Sequence, residues 1–325
     1  MPTTRRGFLA ATGGATVAAG TTGVISGLNS PAAAASRRQL RRTYGVVVHP
    51  SWATDPRWGK TDRWMGLLAD LGVKQIRGLV VPHQDECRRT ARLCRRYGIK
   101  WLMTVTDYGR LTPRETRQRV NQIADDYADI VLGLEGINEP HTDEKGWAQY
   151  TVDIQRAIWE ARNNNRALKG VKVISPSLHD RNEDVSDGAG YRALKRKGIG
   201  ELCDVVGLHS YPKGRRVTFG VADRLTLVDI AYKGKPVWVT EFGWTNYSGG
   251  SGQRPTSEAR AARLAARGIP RIADHPRVKK AFRYELIDDP RHGGHDAPGA
   301  HYGLVRADWS RKPEFRAVRR VLHGR

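Results

Sequence analysis

From Tyr44 to the end of the 325-residue chain, short apolar runs alternate with stretches whose apolar positions recur at helical spacing. The runs are YGVVVH (44–49), QIRGLV (75–80), KWLMTV (100–105), DIVLGLEGINE (129–139), VKVISP (171–176), CDVVGLHSY (203–211), PVWVTEFGW (236–244) and KAFRYELI (280–287). Their nearly continuous apolar character is that of strands covered on both faces, as in parallel sheets. Between them, TDRWMGLLADLG opens at a Thr61 cap, repeats Trp64, Leu67, Leu68 and Leu71, and stops at Gly72. DECRRTARLCRRYG ends at Gly98, and TPRETRQRVNQIADDYA opens with Thr112 as cap and Pro113 at the first helical position. Five further helical patterns follow, the last being KPEFRAVRRVLHGR. Eight strands, each followed by a helix, predict an α/β fold of the (β/α)8 TIM-barrel type. The barrel would be a single domain over 44–325, after a short segment at 36–43. A doubly wound open sheet is the alternative, but no Gly-rich phosphate turn follows the first strand.

Residues 1–35 fall outside that rhythm and read as a signal peptide. Arg5 and Arg6 precede a mildly apolar Gly/Ala/Thr-rich stretch, and PAAAAS supplies small residues for cleavage. Five glycines and four threonines within 12–27 argue against a membrane anchor. The paired arginines resemble the twin-arginine type of signal, which implies export of an already folded protein. No later apolar run is long enough to span a bilayer, so no membrane span is expected in the mature form.

Composition adds a charge. The net charge is +22; the first 35 residues hold two arginines and no acid, so cleavage leaves +20. That excess predicts electrostatic attraction to anionic cell-wall polymers. The cations are scattered and not interleaved with aromatics, so no specific nucleic acid is expected as a partner. Three cysteines make a poor disulfide framework. Cys87 and Cys94, seven apart on one helix, stand about 10.5 Å apart along its axis, beyond the reach of a disulfide.

In a (β/α)8 barrel the active site lies at the C-terminal ends of the strands. Those ends carry Arg77 on the second, Asn138 and Glu139 on the fourth, and His209 and Tyr211 on the sixth. The seventh offers Glu241 and Trp244, the eighth Tyr284 and Glu285. Glutamates on strands four and seven would face each other across the barrel mouth, as glycoside hydrolysis requires of its proton donor and its nucleophile. Surface carboxylates just past strand ends are the plainer reading of the same pair. Glu135 shares strand parity with Glu139 and would point inward, so Arg77 could serve to neutralise it. Trp52, Tyr108 and Trp244 lie just beyond strand ends, where they could stack on sugars or simply pack loops. RHGGHDAPGAH (291–301) gathers His292, His295, Asp296 and His301, but without recognised metal-ligand spacing; it reads as a plain loop.

GINEP, VTEFGW, GLHSYP and IRGL, together with the closing YELID…HYGLVRADWSRKPEFRAV, resemble the clan A retaining glycoside hydrolases, cellulase-like and family 39-like members among them. The resemblance covers 44–322. It implies Glu139 as general acid/base and Glu241 as nucleophile. It further implies Asn138 bonded to the sugar 2-hydroxyl, Tyr211 and Arg77 supporting Glu241, and His209 lining the adjacent subsite. One departure stands out: where the clan commonly has a tryptophan ending the eighth strand, this chain has Arg283 and Tyr284. The expectation is a retaining β-glycosidase acting on a poly- or oligosaccharide without a cofactor. A transglycosylase using the same residues and a non-catalytic wall-binding barrel are the alternatives.

Overall fold

The computed structural model describes residues 35–107, 109–179, 188–212, 214–247, 256–291 and 298–324. The signal reading, Tyr108, His292, His295 and Asp296 therefore lie outside the described residues, Ala35 excepted. The strands are β1 Tyr44–Val47, β2 Gln75–Leu79, β3 Lys100–Thr104, β4 Val131–Glu135, β5 Lys172–Ile174, β6 Val206–Ser210, β7 Val237–Phe242 and β8 Val278–Arg283. The described helices are α1 Arg37–Thr43, α2 Thr61–Leu71, α3 Asp85–Tyr97, α4 Pro113–Tyr127, α5 Trp147–Asn164, α6 Ala189–Arg196, α7 Val217–Tyr232, α8 Glu258–Ala273 and α9 Pro313–His323.

All strands run parallel in the order β5-β4-β3-β2-β1-β8-β7-β6. The ring closes where Ile174 bridges Val205, just before β6. This is the expected TIM barrel, nearly closed, with one thin seam. Backbone bonds are few there: Ser175 N donates to Val205 O at 2.9 Å and Asp204 N to Val173 O at 2.8 Å. A side chain supplements them. The Asp204 carboxylate accepts from Val173 N at 2.8 Å and from Arg162 Nη1 of α5 at 3.0 Å.

Val47, Leu102, Ile174, Val205, Trp238 and Phe282 form a small apolar cluster. Val47, Leu102, Ile174 and Trp238 come from the alternate strands β1, β3, β5 and β7, joined by Phe282 of β8 and by Val205 just before β6, and together they fill the interior of the ring. Glycine makes room for the two large rings. A Cβ on Gly45 would lie 2.5 Å from the Phe282 ring, and one on Gly133 would lie 3.1 Å from Trp238. The larger core joins sheet to helices and takes in Cys87 and Cys94 from α3. The cysteines are buried and free.

Local signals largely behave as expected. Thr112 and Glu115 form a reciprocal capping box with Pro113 in the first turn, and Gly72 and Gly98 end α2 and α3 in left-handed conformation. Thr61 is a correction: Lys60 occupies the cap position of α2, and no side chain caps it. The fourth strand is another. It ends at Glu135, and Asn138 rejoins the sheet edge through single bridges to Asp107 and Ser177. Among the described residues no helix is long and apolar enough to cross a membrane.

Candidate active site

Arg77, central in β2, organises the mouth of the barrel. Its Nε donates to Glu135 Oε2 at 2.5 Å, its Nη1 to Glu241 Oε1 at 2.6 Å and its Nη2 to Asn138 Oδ1 at 2.7 Å. Both roles considered for this arginine thus occur in one planar fork, which holds its positive charge firmly despite burial because Glu135 and Glu241 flank it. Glu135 is fully buried, and Thr104 Oγ1 donates to its Oε2 at 3.1 Å.

Glu241, on β7, takes a second donor from Tyr211 OH. Burial alone would raise its pKa; His209, Arg77 and the Tyr211 hydroxyl outweigh that and bring it down to about 2. It is an ionised carboxylate with both oxygens engaged. Glu139 differs. Its side chain is 23% exposed against 7% for Glu241. Its Oε1 meets His209 Nδ1 at 2.6 Å, and His179 Nε2 lies 3.7 Å from Oε2. Its backbone is left-handed, with φ of 47°, an uncommon state for a residue with a Cβ. His209 is pulled down by burial, but Glu241 and Glu139 outweigh this, and its pKa ends above the ordinary value.

Glu139, His209 and Glu241 each bring one atom to within 4.8 Å of the others. Three such groups could hold a metal, but each oxygen of Glu241 already accepts one hydrogen bond, from Arg77 and from Tyr211. The arrangement is instead that of two carboxyls in different environments, one charged and donor-locked, the other open to the cavity. That cavity, about 290 Å³, is lined by Arg77, Asn138, Glu139, Tyr211, Glu241 and Tyr284, together with His49, Trp52, Asp107, His179 and Tyr302.

The family description "Glycosyl hydrolase catalytic core" matches residues 108–296, a span that holds both Glu139 and Glu241. The chain belongs to this family. No curated protein matches the chain. Among solved structures, it resembles a Rhizomucor miehei β-1,3-glucanosyltransferase in complex with laminaritriose, at 15% identity and a TM-score of 0.60, covering 86% of this chain and 97% of that one. It also resembles a family 128 endo-β-1,3-glucanase from Amycolatopsis mediterranei, at 18% identity, a TM-score of 0.53 and coverage of 86% and 98%. A Bifidobacterium dentium β-glucuronidase matches at 18% identity and a TM-score of 0.61; the chain spans 47% of that longer protein. At such identities the likeness is one of fold.

In this glycosyl hydrolase core two sequence-predicted residues are placed differently from expectation. Trp244 is excluded from the site: it is buried, packed edge-on to Phe242 with Arg283 above its ring, and Nε1 donates to Arg215 O at 2.8 Å. Its ring belongs to the main hydrophobic core and not to the cavity lining. His209 does not line the cavity; it is fully buried and touches the site through its bond to Glu139. At the departure on the eighth strand, Arg283 points away from the cavity into a buried two-point pair with Glu314 of α9, at 2.7 and 2.8 Å. Tyr284 remains in the cavity, packed edge-to-face with Tyr211 and Tyr302 at centroid distances of 6.0 and 5.7 Å.

His49 and Tyr302 were not singled out from the sequence. His49 follows β1 and stacks on Trp52 at 3.7 Å. Burial pushes its pKa down to about 3, so its 2.8 Å contact with Glu285 is a hydrogen bond from a neutral ring. Arg291 lies 4.5 Å over the Trp52 ring as well, so the indole already packs against two neighbours while it lines the cavity. Tyr302 follows the short 3-10 turn Pro298–His301, between β8 and α9. The signal for both was weak: an aromatic just past a strand end looks the same whether it packs or binds.

Proposed function

We propose that this protein is an exported retaining β-glycosidase of the clan A type, acting on a poly- or oligosaccharide. One observation carries the reading. Two carboxyls meet, one on β7 and one four residues beyond β4, the first locked as an anion by Arg77 and Tyr211, the second bonded only to histidine and open to the cavity. Their approach within 4.8 Å at the nearest oxygens suits a retaining pair, about 5–5.5 Å apart, rather than the roughly 6.5–9.5 Å that leaves room for an inverting water.

In the first step a Glu241 oxygen attacks the anomeric carbon as the bond to the leaving oxygen breaks, and Glu139 passes its proton to that oxygen. In the second, water attacks the glycosyl–Glu241 ester and gives a proton to Glu139, which regenerates both groups. Asn138, its Oδ1 held by Arg77, keeps its amide N–H groups for the sugar 2-hydroxyl. The basic N-terminal sequence supports export by the twin-arginine route.

The test uses aryl β-glycosides and β-1,3-glucan oligosaccharides. Glu241→Gln should abolish turnover, and Glu139→Gln should cut it by about 10²–10⁴-fold on substrates with poor leaving groups. On an activated aryl glycoside, Glu139→Gln should accumulate a glycosyl adduct on Glu241, visible by mass spectrometry. An inverted first product, or undiminished turnover in either variant, overturns the reading. The transferase relatives motivate a second outcome: with an added acceptor sugar, longer oligosaccharides rather than free reducing ends would make the enzyme a transglycosylase.

A further inference from the structure

The opposite end of the barrel carries a different kind of site. α1 precedes β1, and Lys74 immediately precedes β2, so both lie at the N-terminal ends of the parallel strands. There Arg37, Arg38, Arg41, Arg42 and Lys74 alone line a shallow basin of about 390 Å³. Two of the five are tied down by backbone carbonyls. Arg41 Nε donates to Leu322 O at the end of α9 at 3.0 Å, and Lys74 Nζ donates to Tyr97 O at 2.9 Å. Arg37, Arg38 and Arg42 are exposed, and among the described residues none of their side chains meets a carboxylate. Many exposed arginines elsewhere do find acids, as Arg95 does with Asp129, Arg215 with Asp223 and Arg311 with Asp70.

This arrangement opposes local stability. Arg37 with Arg41 and Arg38 with Arg42 are like-charge pairs one helical turn apart, which weaken a helix. Five cations on one concavity repel each other unless an anion sits among them. The lining also says what kind. It holds no aromatic ring on which bases could stack and no apolar residue to enter a lipid layer. Arginine forks suit the paired oxygens of phosphate.

We propose that this basin docks a linear phosphodiester polymer, with Arg37, Arg38 and Arg42 contacting successive phosphates. The inference is independent of the glycosidase reading, since it concerns the far end of the barrel and needs no turnover.

The probe is immobilised poly(glycerol phosphate), with binding of the purified chain followed over a salt series. The combined variant Arg37→Gln/Arg38→Gln/Arg42→Gln should bind about tenfold or more weakly at low salt. Its slope of log affinity against log salt should fall by about 2–3, near the value for three lost phosphate contacts. A charge-matched control, Arg263→Gln/Arg267→Gln/Arg271→Gln, removes an exposed stripe from α8 and should stay within about twofold of the unmodified chain. Hydrolysis of a small soluble glycoside should be the same in both variants. Equal losses in the two variants, no loss in the α1 variant, or tighter binding to anionic phospholipid vesicles or single-stranded DNA than to the polymer would each overturn the proposal.

Discussion

Glu139 sits where a residue with a side chain is least at ease. A φ of 47° costs a non-glycine residue on the order of 1–3 kcal/mol, a strain typical of functional sites. The usual order of alanine and glycine should therefore reverse at this position. Glu139→Gly should be more stable than Glu139→Ala by about 1 kcal/mol in urea unfolding, both having lost the His209 contact. Alanine proving the more stable would show that the backbone carries no such strain. Glu241 gives a pH prediction. Its folded pKa of about 2 is below its ordinary value of 4.5, so its contribution to stability is complete above pH 4.5 and is lost as pH falls toward 2. If Glu241 is the nucleophile as proposed, the same ionisation should set the acid limb of kcat/KM in the free enzyme. Tyr211→Phe removes one donor from the carboxylate and should move that limb to higher pH. A limb unmoved in this variant would mean that the phenol does not hold the charge.

Between β5 and β6 the ring is joined by a single bridge rather than a ladder. There a side chain, Asp204, takes the Val173 N–H that a full backbone ladder would otherwise have taken. Asp204→Ala should cost about 1–3 kcal/mol, read as a lower denaturation midpoint with an unchanged m-value, because Val173 N loses its side-chain acceptor and Arg162, which keeps Val171 O, loses its carboxylate. The pair joining β8 to α9 should matter more. Glu314→Ala strands Arg283 in the core and should cost roughly 3–5 kcal/mol. Such pairs show what the sequence could and could not reveal. Strand number, parallel character and the caps at Thr112, Gly72 and Gly98 follow from local pattern and were legible. The end of β4 was not, because the apolar run continues to Ile137 after the ladder has stopped. The same gap separated "on strand four" from the true place of Glu139, four residues beyond it. Trp244 misled for a related reason: position past a strand end is visible in sequence, but the direction of the ring depends on the next turn. Asp204 and Arg283 left no signal, since each gains its role from a partner distant in sequence.

At the scale of the molecule, charge is divided unevenly. Among the described residues lining the cavity, Arg77 is the one permanently charged cation, and all three arms of its fork are in use. Asp107, Glu139 and Glu241 line the same space. Among the described lining residues a sugar carboxylate would find no unoccupied permanent cation, so an aryl β-glucuronide should have kcat/KM at least about tenfold below the matching β-glucoside. The reverse preference would require a cation not provided by these residues, despite the fold shared with β-glucuronidases. The bottom of the barrel is the opposite case, five cations without an acid among them. The basic basin and the cavity lie at opposite ends of the barrel, so a molecule docked on an anionic layer through the proposed basin would hold its cavity away from that layer. It would land on α1 with the cleft pointing outward. Strands of sugar rising past the layer would be within reach, and the layer beneath it would be a perch and not a substrate.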